Sequence, residues 1–538
     1  MKLTKQGIKN KDEWIAKGYK MPEFDTDAVE NATKKAPFWI HFGAGNIFRA
    51  FQANVVQELL NKGVIDRGLV VAEGYDYEII EKMYRPHDSI SALVTLKASG
   101  DVEKTVVASI AEALTADSEN EADWSRLCEN FRNPELQMVT FTITEKGYLL
   151  RNAAGVLMNG VEDDFAAGPV LPKSYIGKIV TLLHERYVNG ELPVAMVSMD
   201  NCSHNGDKLY AAVKEFAEEW ENRGVCKPGF LSYINNESKV SFPWTMIDKI
   251  TPRPDSKIQK ILADDGIEQL EPVITSKKTY VAPFVNAEEV QYLVIEDKFP
   301  NGRPELEKAG LYFTDRATVD KVEKMKVCTC LNPLHTFLAV SGCLLGYTLI
   351  SAEMKDPELL ALVKRLGYTE GLPVVVNPGI IKPENFIDEV VNIRIPNPFM
   401  PDTPQRIACD TSQKLSIRFG ETIKGYLNRK DLDINNLKVI PLTQALWLRY
   451  LMAINDDGEK FELSPDPLLG EVCPVVANVS LGKDFDVHET VKNLLSRSDI
   501  FGVNLYEAGL GEKVESYFKK LTAGKGSVRK TLKEVASE

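Results

Sequence analysis

Apolar and polar residues alternate along the first half of the chain in a pattern of short strands and longer helices. The apolar run 36–42 ends at Gly43, and apolar residues then recur at helical spacing between positions 46 and 62. Further apolar runs predict buried strands at 68–72, 105–110, 136–144 and 193–199, separated by helical patterns that include 175–187 and 206–220. Strands that alternate with helices in this way are typical of a parallel α/β sheet.

The second half has a different pattern, in which helical spacing dominates from about residue 308 onward. The longest stretches with this periodicity lie at 315–347, 357–366, 382–391, 436–455 and 490–496. A strand-like stretch at 279–296 precedes them. The sequence therefore predicts an α/β body followed by a mainly α-helical domain.

Composition narrows the class of protein. The chain has 538 residues, with 64 Lys and Arg against 77 Asp and Glu, and its net charge of -13 argues against a nucleic-acid-binding surface. It has neither the run of about 18 to 20 apolar residues that a membrane span requires nor the apolar core of a secretory signal. Its eight cysteines form no CxxC pair. We therefore expect a soluble cytoplasmic protein that binds neither nucleic acid nor membrane.

Two glycines, Gly43 and Gly45, stand between the first predicted strand and its helix. A dinucleotide pyrophosphate binds at such a turn, because one glycine permits the turn and another lets the backbone approach the phosphates. Arg49, in the first turn of the helix, would reach a phosphate as well. Phe48 replaces the third glycine of the usual GxGxxG motif, so an ordinary strand-to-helix turn and a solvated arginine stay open as alternatives.

Two acidic residues, Glu73 and Asp76, follow the second predicted strand. Either would accept hydrogen bonds from the adenosine ribose, which favours NAD over NADP as the cofactor. The polar segment 142–148, which includes Glu145, ends a later apolar strand. At the carboxyl edge of a parallel sheet this segment would line the nicotinamide side of the crevice. Ordinary loop residues are the alternative in both places.

These observations divide the chain into three parts. A lead-in segment spans 1–35, a Rossmann-type dinucleotide-binding domain with a parallel-rich sheet spans 36–305, and a mainly α-helical substrate and catalytic domain spans 306–538. The lead-in segment lacks the apolar content for a core of its own, so we expect it to pack on the α/β body.

A third group of candidate residues, Lys326, Asn332 and His335, falls on one predicted helix in the second half. Interconversion of a carbonyl and an alcohol needs a proton donor and fixed hydrogen bonds to the oxygen. A lysine whose pKa is lowered by burial supplies the first, and amide and imidazole groups supply the second. A solvated lysine, a helix-initiating Asn-Pro pair and a core histidine are the alternatives. Cys328 and Cys330 lack the spacing of a zinc site, so no metal is expected.

Several blocks of sequence together resemble one enzyme family. They are Gly43-x-Gly45-x-x-x-Arg49, Thr144-Glu-Lys-Gly-Tyr148, Asp200-Asn201 with Asn205-Gly206, Ile247-Asp-Lys-Ile-Thr-Pro252, Ile295-Glu-Asp297 with Gly302-Arg-Pro304, the cluster of Lys326, Asn332 and His335, Arg394-x-x-Asn397-Pro, and Arg406-Ile-Ala-x-Asp410-x-Ser-x-Lys414. On these residues the chain resembles the polyol-specific long-chain dehydrogenases, the mannitol dehydrogenase family. The segment 14–25 is most similar to the start of the fructuronate reductases in that family.

The resemblance implies an NAD(P)-dependent, metal-independent oxidoreductase that transfers a hydride between the cofactor and a secondary alcohol or ketone. It implies that the active site lies in a cleft between the two domains. It assigns the general acid/base to Lys326 and the substrate-oxygen contacts to Asn332 and His335. It gives Asn201 the polarisation of the reacting carbonyl.

The same resemblance implies that Arg406 and Lys414 bind more distant substrate oxygens. Cations at these positions suit the carboxylate of a sugar acid. The expected reaction is therefore the interconversion of D-fructuronate and D-mannonate. Mannitol 2-dehydrogenase and tagaturonate reductase activities stay open, as does a non-catalytic NAD-binding sugar sensor.

The chain departs from the family pattern in two places. Five residues separate Lys326 from Asn332, where the family commonly has four, and a bulge in the helix would absorb the extra residue. Lys324 is the alternative acid/base. Residues 202–204, Cys-Ser-His, stand where relatives often carry Leu-Pro and a variable residue, which leaves the shape of the pocket there open.

Overall fold

The computed structural model describes all 538 residues, which form two compact units. The first unit comprises residues 1–97 and 101–320, and the second comprises residues 98–100 and 321–538. The first unit combines strands and helices, whereas the second is helical.

The first unit contains all the strands of the chain and its first ten α-helices. The strands are β1 (Tyr19–Lys20), β2 (Trp39–Phe42), β3 (Leu69–Glu73), β4 (Ser91–Leu96), β5 (Val102–Val107), β6 (Ile110–Thr115), β7 (Met138–Phe141), β8 (Val194–Ser198), β9 (Val240–Ser241), β10 (Thr245–Asp248), β11 (Val273–Ile274), β12 (Tyr280–Val281), β13 (Phe284–Glu288), β14 (Tyr292–Glu296) and β15 (Tyr312–Thr314). The helices are α1 (Lys11–Ala16), α2 (Thr26–Lys35), α3 (Asn46–Ala50), α4 (Gln52–Asn61), α5 (Glu121–Arg132), α6 (Val161–Ala167), α7 (Tyr175–Val188), α8 (Asn205–Arg223), α9 (Phe230–Ile234) and α10 (Ser256–Asp264).

The largest sheet has six parallel strands in the order β6-β3-β2-β7-β8-β9. Counted along the chain within this sheet, that order is 3-2-1-4-5-6, the strand order of the Rossmann fold. Every residue of β2, β3, β7 and β8 is buried, as in strands that helices cover on both faces. The predicted parallel α/β fold is confirmed.

Successive side chains of these strands enter two hydrophobic cores, one on each face of the sheet. Trp39 of β2 belongs to the core that contains Val55 of α4. Its neighbour Ile40 belongs to the other core, which contains Leu183 of α7 and Phe216 of α8. The helices that follow the strands therefore cover both faces, and the carboxyl ends of the strands remain as an edge at which loops carry the candidate residues.

The structure divides one predicted strand into two. The apolar run at 105–110 belongs partly to β5, which pairs antiparallel with β4, and partly to β6, the edge strand beside β3. Ser109 lies between them, where its hydroxyl donates to the carbonyl of Ala53 at 2.6 Å. An apolar run does not reveal such a break, because both strands that flank it contribute buried residues.

Three smaller sheets complete the first unit, with the strand orders β1-β5-β4-β13, β10-β14-β15 and β11-β12. The strand β1 lies in the lead-in segment and pairs parallel with β5. Trp14, just before it, is fully buried and meets Tyr19 edge to face with 5.3 Å between ring centroids. The predicted strand-like stretch at 279–296 contains β12, β13 and β14.

The second unit is helical, which confirms the prediction for the second half of the chain. Its α-helices are α11 (Arg316–Lys324, which begins before the unit boundary), α12 (Asn332–Leu345), α13 (Ile350–Glu353), α14 (Pro357–Lys364), α15 (Pro383–Glu389), α16 (Pro404–Ile407), α17 (Glu421–Leu427), α18 (Val439–Tyr450), α19 (Leu469–Val476), α20 (Val487–Leu495), α21 (Ser498–Phe501), α22 (Gly511–Leu521) and α23 (Ser527–Ser537). Wider π-helical turns occur at Met325–Cys330, Arg365–Gly371, Val390–Arg394 and Ser416–Gly420.

One long helix begins with α11, continues through the π-helical turn and ends with α12, spanning Arg316–Leu345. By length and composition it would be apolar enough to cross a membrane. However, 83% of its apolar window is buried inside the protein, as in the core helices of soluble proteins. Most of this helix is therefore core.

Candidate active site

The glycine turn links β2 to α3. Gly43 has a φ of +110°, and a Cβ atom there would lie 2.3 Å from the carbonyl oxygen of Thr142, so only glycine fits. Gly45 immediately precedes α3, and no atom lies within 4 Å of the place where its Cβ would be. Gly43 is thus required by the backbone conformation of the turn. Gly45 leaves the open space that a pyrophosphate needs at a helix N-terminus.

The two glycines give a testable contrast. We expect Gly43→Ala to lower stability by about 1 to 3 kcal/mol, because alanine would be forced into a left-handed backbone against a carbonyl. Gly45→Ala should unfold at the same denaturant concentration as wild type but bind the dinucleotide more weakly, since its methyl group fills the open space. Denaturant unfolding and NADH titration measure the two effects. Unchanged NADH affinity in Gly45→Ala would show that the phosphates lie elsewhere.

Arg49 is directed into the protein. Its side chain is buried, with Nη1 donating to the carbonyl of Ala282 at 2.6 Å and Nη2 donating to Oδ1 of Asn46 at 2.9 Å. The guanidinium also lies 5.9 Å from the centroid of the Tyr84 ring. Burial lowers the pKa of Arg49. The structure therefore connects this arginine to the loop before β13, where it fixes α3 beside the sheet.

Glu73 and Asp76 lie at the end of β3, next to the glycine turn. The buried carboxylate of Glu73 accepts the backbone N–H of Ala44 at 2.9 Å, of Tyr75 at 2.8 Å and of Asp76 at 3.1 Å. Burial raises the pKa of Glu73, and these three donors oppose that effect. Asp76 is buried as well and accepts the hydroxyl of Thr275 at 2.6 Å. Both acids thus lie beside the turn, where they also shape its backbone.

The ends of β7 and β8 are joined by one carboxylate, that of Asp200. It accepts the backbone N–H groups of Ile143 and Thr144, each at 2.9 Å, and the hydroxyl of Tyr148 at 2.6 Å. Asn201, which directly follows, is exposed. The sequence analysis missed this role of Asp200, although its position at the end of an apolar strand was a signal for it.

Two further residues of these blocks have separate positions. Glu145, in the short helical turn Glu145–Tyr148 after β7, is exposed and forms an ion pair with Lys208. Asn205 is fully buried at the start of α8, where its amide donates to the carbonyl of Asp200 at 3.0 Å and to the hydroxyl of Thr245 at 2.8 Å. Asn205 therefore ties the segment that carries Asn201 to β10.

In the helical unit, Lys326 lies in the π-helical turn Met325–Cys330 and is 2% exposed. A π-helical turn takes up one residue more than an α-helical turn, which is the bulge expected between Lys326 and Asn332. Asn332 begins α12, and its carbonyl accepts the hydroxyl of Thr336 at 3.1 Å. His335 lies one residue before Thr336 and is half-buried. All three candidate residues thus belong to one helical run.

The predicted cations occupy different environments. Arg406 is exposed at 67% of its side chain and forms an ion pair with Asp402. Lys414 is half-buried and donates to the carbonyl of Cys409. Burial, together with the nearby charge of Arg418, lowers the pKa of Lys414. The structure therefore leaves Arg406 at the surface and Lys414 half-buried.

Sequence reasoning also missed Arg418. Burial lowers its pKa to about 10, and its Nη1 donates to the hydroxyl of Thr336 at 2.5 Å. Thr336 therefore connects Arg418 to Asn332. The structure thus brings Lys414 and Arg418 into one cationic group, which Thr336 links to the backbone carbonyl of Asn332. Arg418 lies in the π-helical turn Ser416–Gly420, and such turns are frequent at functional sites.

A cavity of about 580 Å³ lies in the helical unit. Its walls include Lys324 at the end of α11, Cys328 from the turn of Lys326, and Ser416 and Ile417 from the turn of Arg418. None of the predicted catalytic residues lines it. Lys324 and Lys326 therefore differ in surroundings, although they are two residues apart.

Models of known domains match both halves of the chain. The mannitol dehydrogenase Rossmann domain matches residues 38–308, and the mannitol dehydrogenase C-terminal domain matches residues 318–522. A D-mannonate oxidoreductase from Thermotoga maritima is 53% identical over 537 residues, which cover 99% of each chain. Both halves of the chain are therefore matched.

Two solved structures are similar over nearly the whole chain. The mannitol 2-dehydrogenase of Pseudomonas fluorescens, in a ternary complex with NAD and D-mannitol, has a TM-score of 0.70 and 26% identity and covers 100% of both chains. A D-sorbitol dehydrogenase in substrate-free form has a TM-score of 0.79 and 25% identity, covering 96% of this chain and 97% of the other. Together with the matched domains, these likenesses confirm the resemblance: the chain belongs to the mannitol dehydrogenase family of oxidoreductases.

Proposed function

We propose that this chain interconverts D-fructuronate and D-mannonate with NAD(H) as the cofactor. The observation that carries the proposal is the 53% identity to the D-mannonate oxidoreductase of Thermotoga maritima, over 99% of both chains. Identity over that length includes the helical unit, so it is not explained by a shared dinucleotide-binding fold alone.

NAD is the proposed cofactor because of the residues around the glycine turn. The open space beside Gly45 suits a pyrophosphate, and the acids Glu73 and Asp76 at the end of β3 disfavour the extra phosphate of NADP. The related mannitol 2-dehydrogenase of Pseudomonas fluorescens binds NAD. When bound, the reduced cofactor supplies the hydride that converts the ketone to an alcohol.

Lys326 is the proposed general acid/base. During reduction its ammonium group gives a proton to the carbonyl oxygen as the carbon receives the hydride, and during oxidation the neutral amine removes the proton from the hydroxyl. Asn201, Asn332 and His335 would hold the substrate oxygens and stabilise the developing negative charge by hydrogen bonds. All four residues belong to the sequence blocks that resemble the family.

The substrate carboxylate is the proposed ligand of the cationic group. Lys414 and Arg418 are half-buried in the helical unit, where reduced solvation strengthens their attraction for an anion. Arg406, at the surface, would exchange the carboxylate of Asp402 for that of the substrate. A neutral ketose would lack this interaction, which favours a uronate over fructose.

The cytoplasm is the proposed compartment, and a sugar acid is the proposed partner. All eight cysteines are free thiols, as is usual for proteins of a reducing compartment. The reaction as proposed requires neither nucleic acid nor a membrane.

A ketone panel tests the substrate assignment. NADH oxidation is followed by absorbance with fructuronate, tagaturonate and fructose at equal concentrations. We expect the largest kcat/KM for fructuronate, by at least about tenfold over fructose, which corresponds to about 1.4 kcal/mol in transition-state stabilisation. A fructose-only response would identify a mannitol 2-dehydrogenase instead. NADH binding without turnover of any ketone would favour a sugar sensor.

A further inference from the structure

The loop after β7 contains a backbone conformation that threonine rarely adopts. Thr144 has a φ of +64° and a ψ of 159°, a region that is essentially restricted to glycine and costs about 1 to 3 kcal/mol for other residues. Other residues of positive φ, such as His204 and Asp410, have ψ values of 44° and 32° and lie in the more accessible left-handed helical region. Thr144 is therefore strained in a way that they are not.

A half-buried carboxylate, that of Asp200, holds this strained turn in place. Asp200 binds the N–H groups of Ile143 and Thr144 with its two oxygens, each at 2.9 Å, and the hydroxyl of Tyr148 binds the same carboxylate at 2.6 Å. The turn is closed on its other side by the N–H of Gly147, which donates to the carbonyl of Thr144 at 2.9 Å. The hydrogen bonds are aimed at the backbone of the turn, so they compensate its strain.

The side chain of Thr144 itself is exposed and does not cap the helical turn that follows. Glycine would adopt the same backbone without steric cost. A strained threonine at this position is therefore explained only by what its side chain does. The hydroxyl and methyl groups of Thr144 are exposed at the carboxyl edge of the sheet.

The position of the turn in the sheet indicates which ligand it would contact. The strands β3 and β6 lie on one side of β2, and β7 and the later strands lie on the other side. The strand order therefore reverses between β2 and β7. Ligands of open α/β sheets bind outside the carboxyl ends of the strands at this switch point. Thr142, two residues before Thr144, packs against Gly43. The adenosine end of a dinucleotide lies toward β3, which leaves the nicotinamide end toward β7.

We propose that Thr144 is a cofactor-binding residue whose hydroxyl contacts the nicotinamide half of the dinucleotide, and that Asp200 is the positioning residue that holds it in the strained conformation. The inference rests on one part of the proposed function, namely that the ligand is a nicotinamide dinucleotide. It adds a binding residue and its support to the loop after β7, and it explains why a costly backbone is maintained there.

Substitutions at position 144 separate the strain from the side chain. Thr144→Gly removes both, so we expect a higher unfolding midpoint than wild type together with about tenfold weaker NADH binding. Thr144→Ser keeps the hydroxyl and should bind NADH within about twofold of wild type. Thr144→Val keeps the shape without the hydroxyl and should bind as weakly as Thr144→Gly. NADH affinity is measured by fluorescence titration, and stability by thermal denaturation.

Gln269→Gly is the matched control, because Gln269 also has a positive φ, of 61°, is exposed, and lies outside the loop after β7. It should raise the unfolding midpoint without changing NADH affinity. Asp200→Asn should weaken NADH binding when Thr144 is present. In the Thr144→Gly variant the same substitution should change NADH affinity little, because no threonine is left to position. If Asp200 had only a structural role, Asp200→Asn would weaken NADH binding equally in the wild type and in Thr144→Gly.

Equal NADH affinity in wild type and Thr144→Gly would overturn the inference, as would Thr144→Ser binding no better than Thr144→Val. Both readouts use NADH alone, so they are independent of the ketone panel. Failure of fructuronate turnover with these binding differences intact would reject the proposed substrate and leave the role of Thr144 standing.

Discussion

Lys326→Ala is expected to lower kcat for fructuronate reduction by about 10²- to 10⁴-fold, the range that a general acid/base contributes. Alanine removes the only proposed proton donor, while the glycine turn proposed to bind the cofactor lies in the other unit and is unchanged. We therefore expect NADH affinity to stay within about twofold of wild type. Steady-state kinetics and NADH titration on the same preparations measure the two quantities.

Lys324→Ala is the matched control for this prediction. Lys324 lies two residues before Lys326 and lines the cavity of about 580 Å³ with Cys328, apart from the predicted catalytic residues. Its loss should change kcat by less than about threefold. Lys326→Arg should be as inactive as Lys326→Ala, since a guanidinium keeps its proton at every accessible pH. Full activity in Lys326→Ala with loss in Lys324→Ala would transfer the catalytic role to Lys324.

The sequence predicted the parts of the fold that depend on local pattern. The apolar runs gave β2, β3, β7 and β8, because strands buried on both faces are apolar throughout. The glycines at the end of β2 marked the turn, since a backbone with a φ of +110° at Gly43 excludes other residues. The extra residue before Asn332 likewise indicated a bulge, which the structure forms as a π-helical turn.

The sequence did not predict which polar groups the folded chain uses internally. Arg49 was interpreted as a phosphate ligand, which stays a prediction. The bond that its side chain donates to the carbonyl of Ala282, 233 residues away, is invisible to local pattern. The roles of Asp200 and Arg418 were missed for the same reason, since their partners Thr144 and Thr336 come from other segments. Side-chain chemistry can be inferred from sequence, but the partners that direct it depend on long-range packing.

Arg186→Met should produce the largest loss of stability, about 3 to 5 kcal/mol, in the first unit. The fully buried guanidinium of Arg186 donates to five backbone carbonyls, those of Phe131, Asn133, Leu136, Leu192 and Pro193, at 2.6 to 3.4 Å. Burial lowers the pKa of Arg186 to about 10, so it remains charged at neutral pH. Methionine fills most of the volume but donates no hydrogen bond, which leaves several carbonyls buried without partners, each costing about 1 to 3 kcal/mol before relaxation.

Arg223→Met distinguishes this internal role from the loss of any arginine. Arg223 lies at the end of α8, with its side chain 33% exposed, and pairs with Glu162 and Glu219. Surface ion pairs of this kind contribute about 0 to 1 kcal/mol, because water solvates both partners when the pair is broken. Denaturant unfolding of both variants should therefore show a large difference in midpoint. Equal losses would mean that water replaces Arg186 at its carbonyls, and that the ends of α5, α7 and β8 are held together by apolar packing alone.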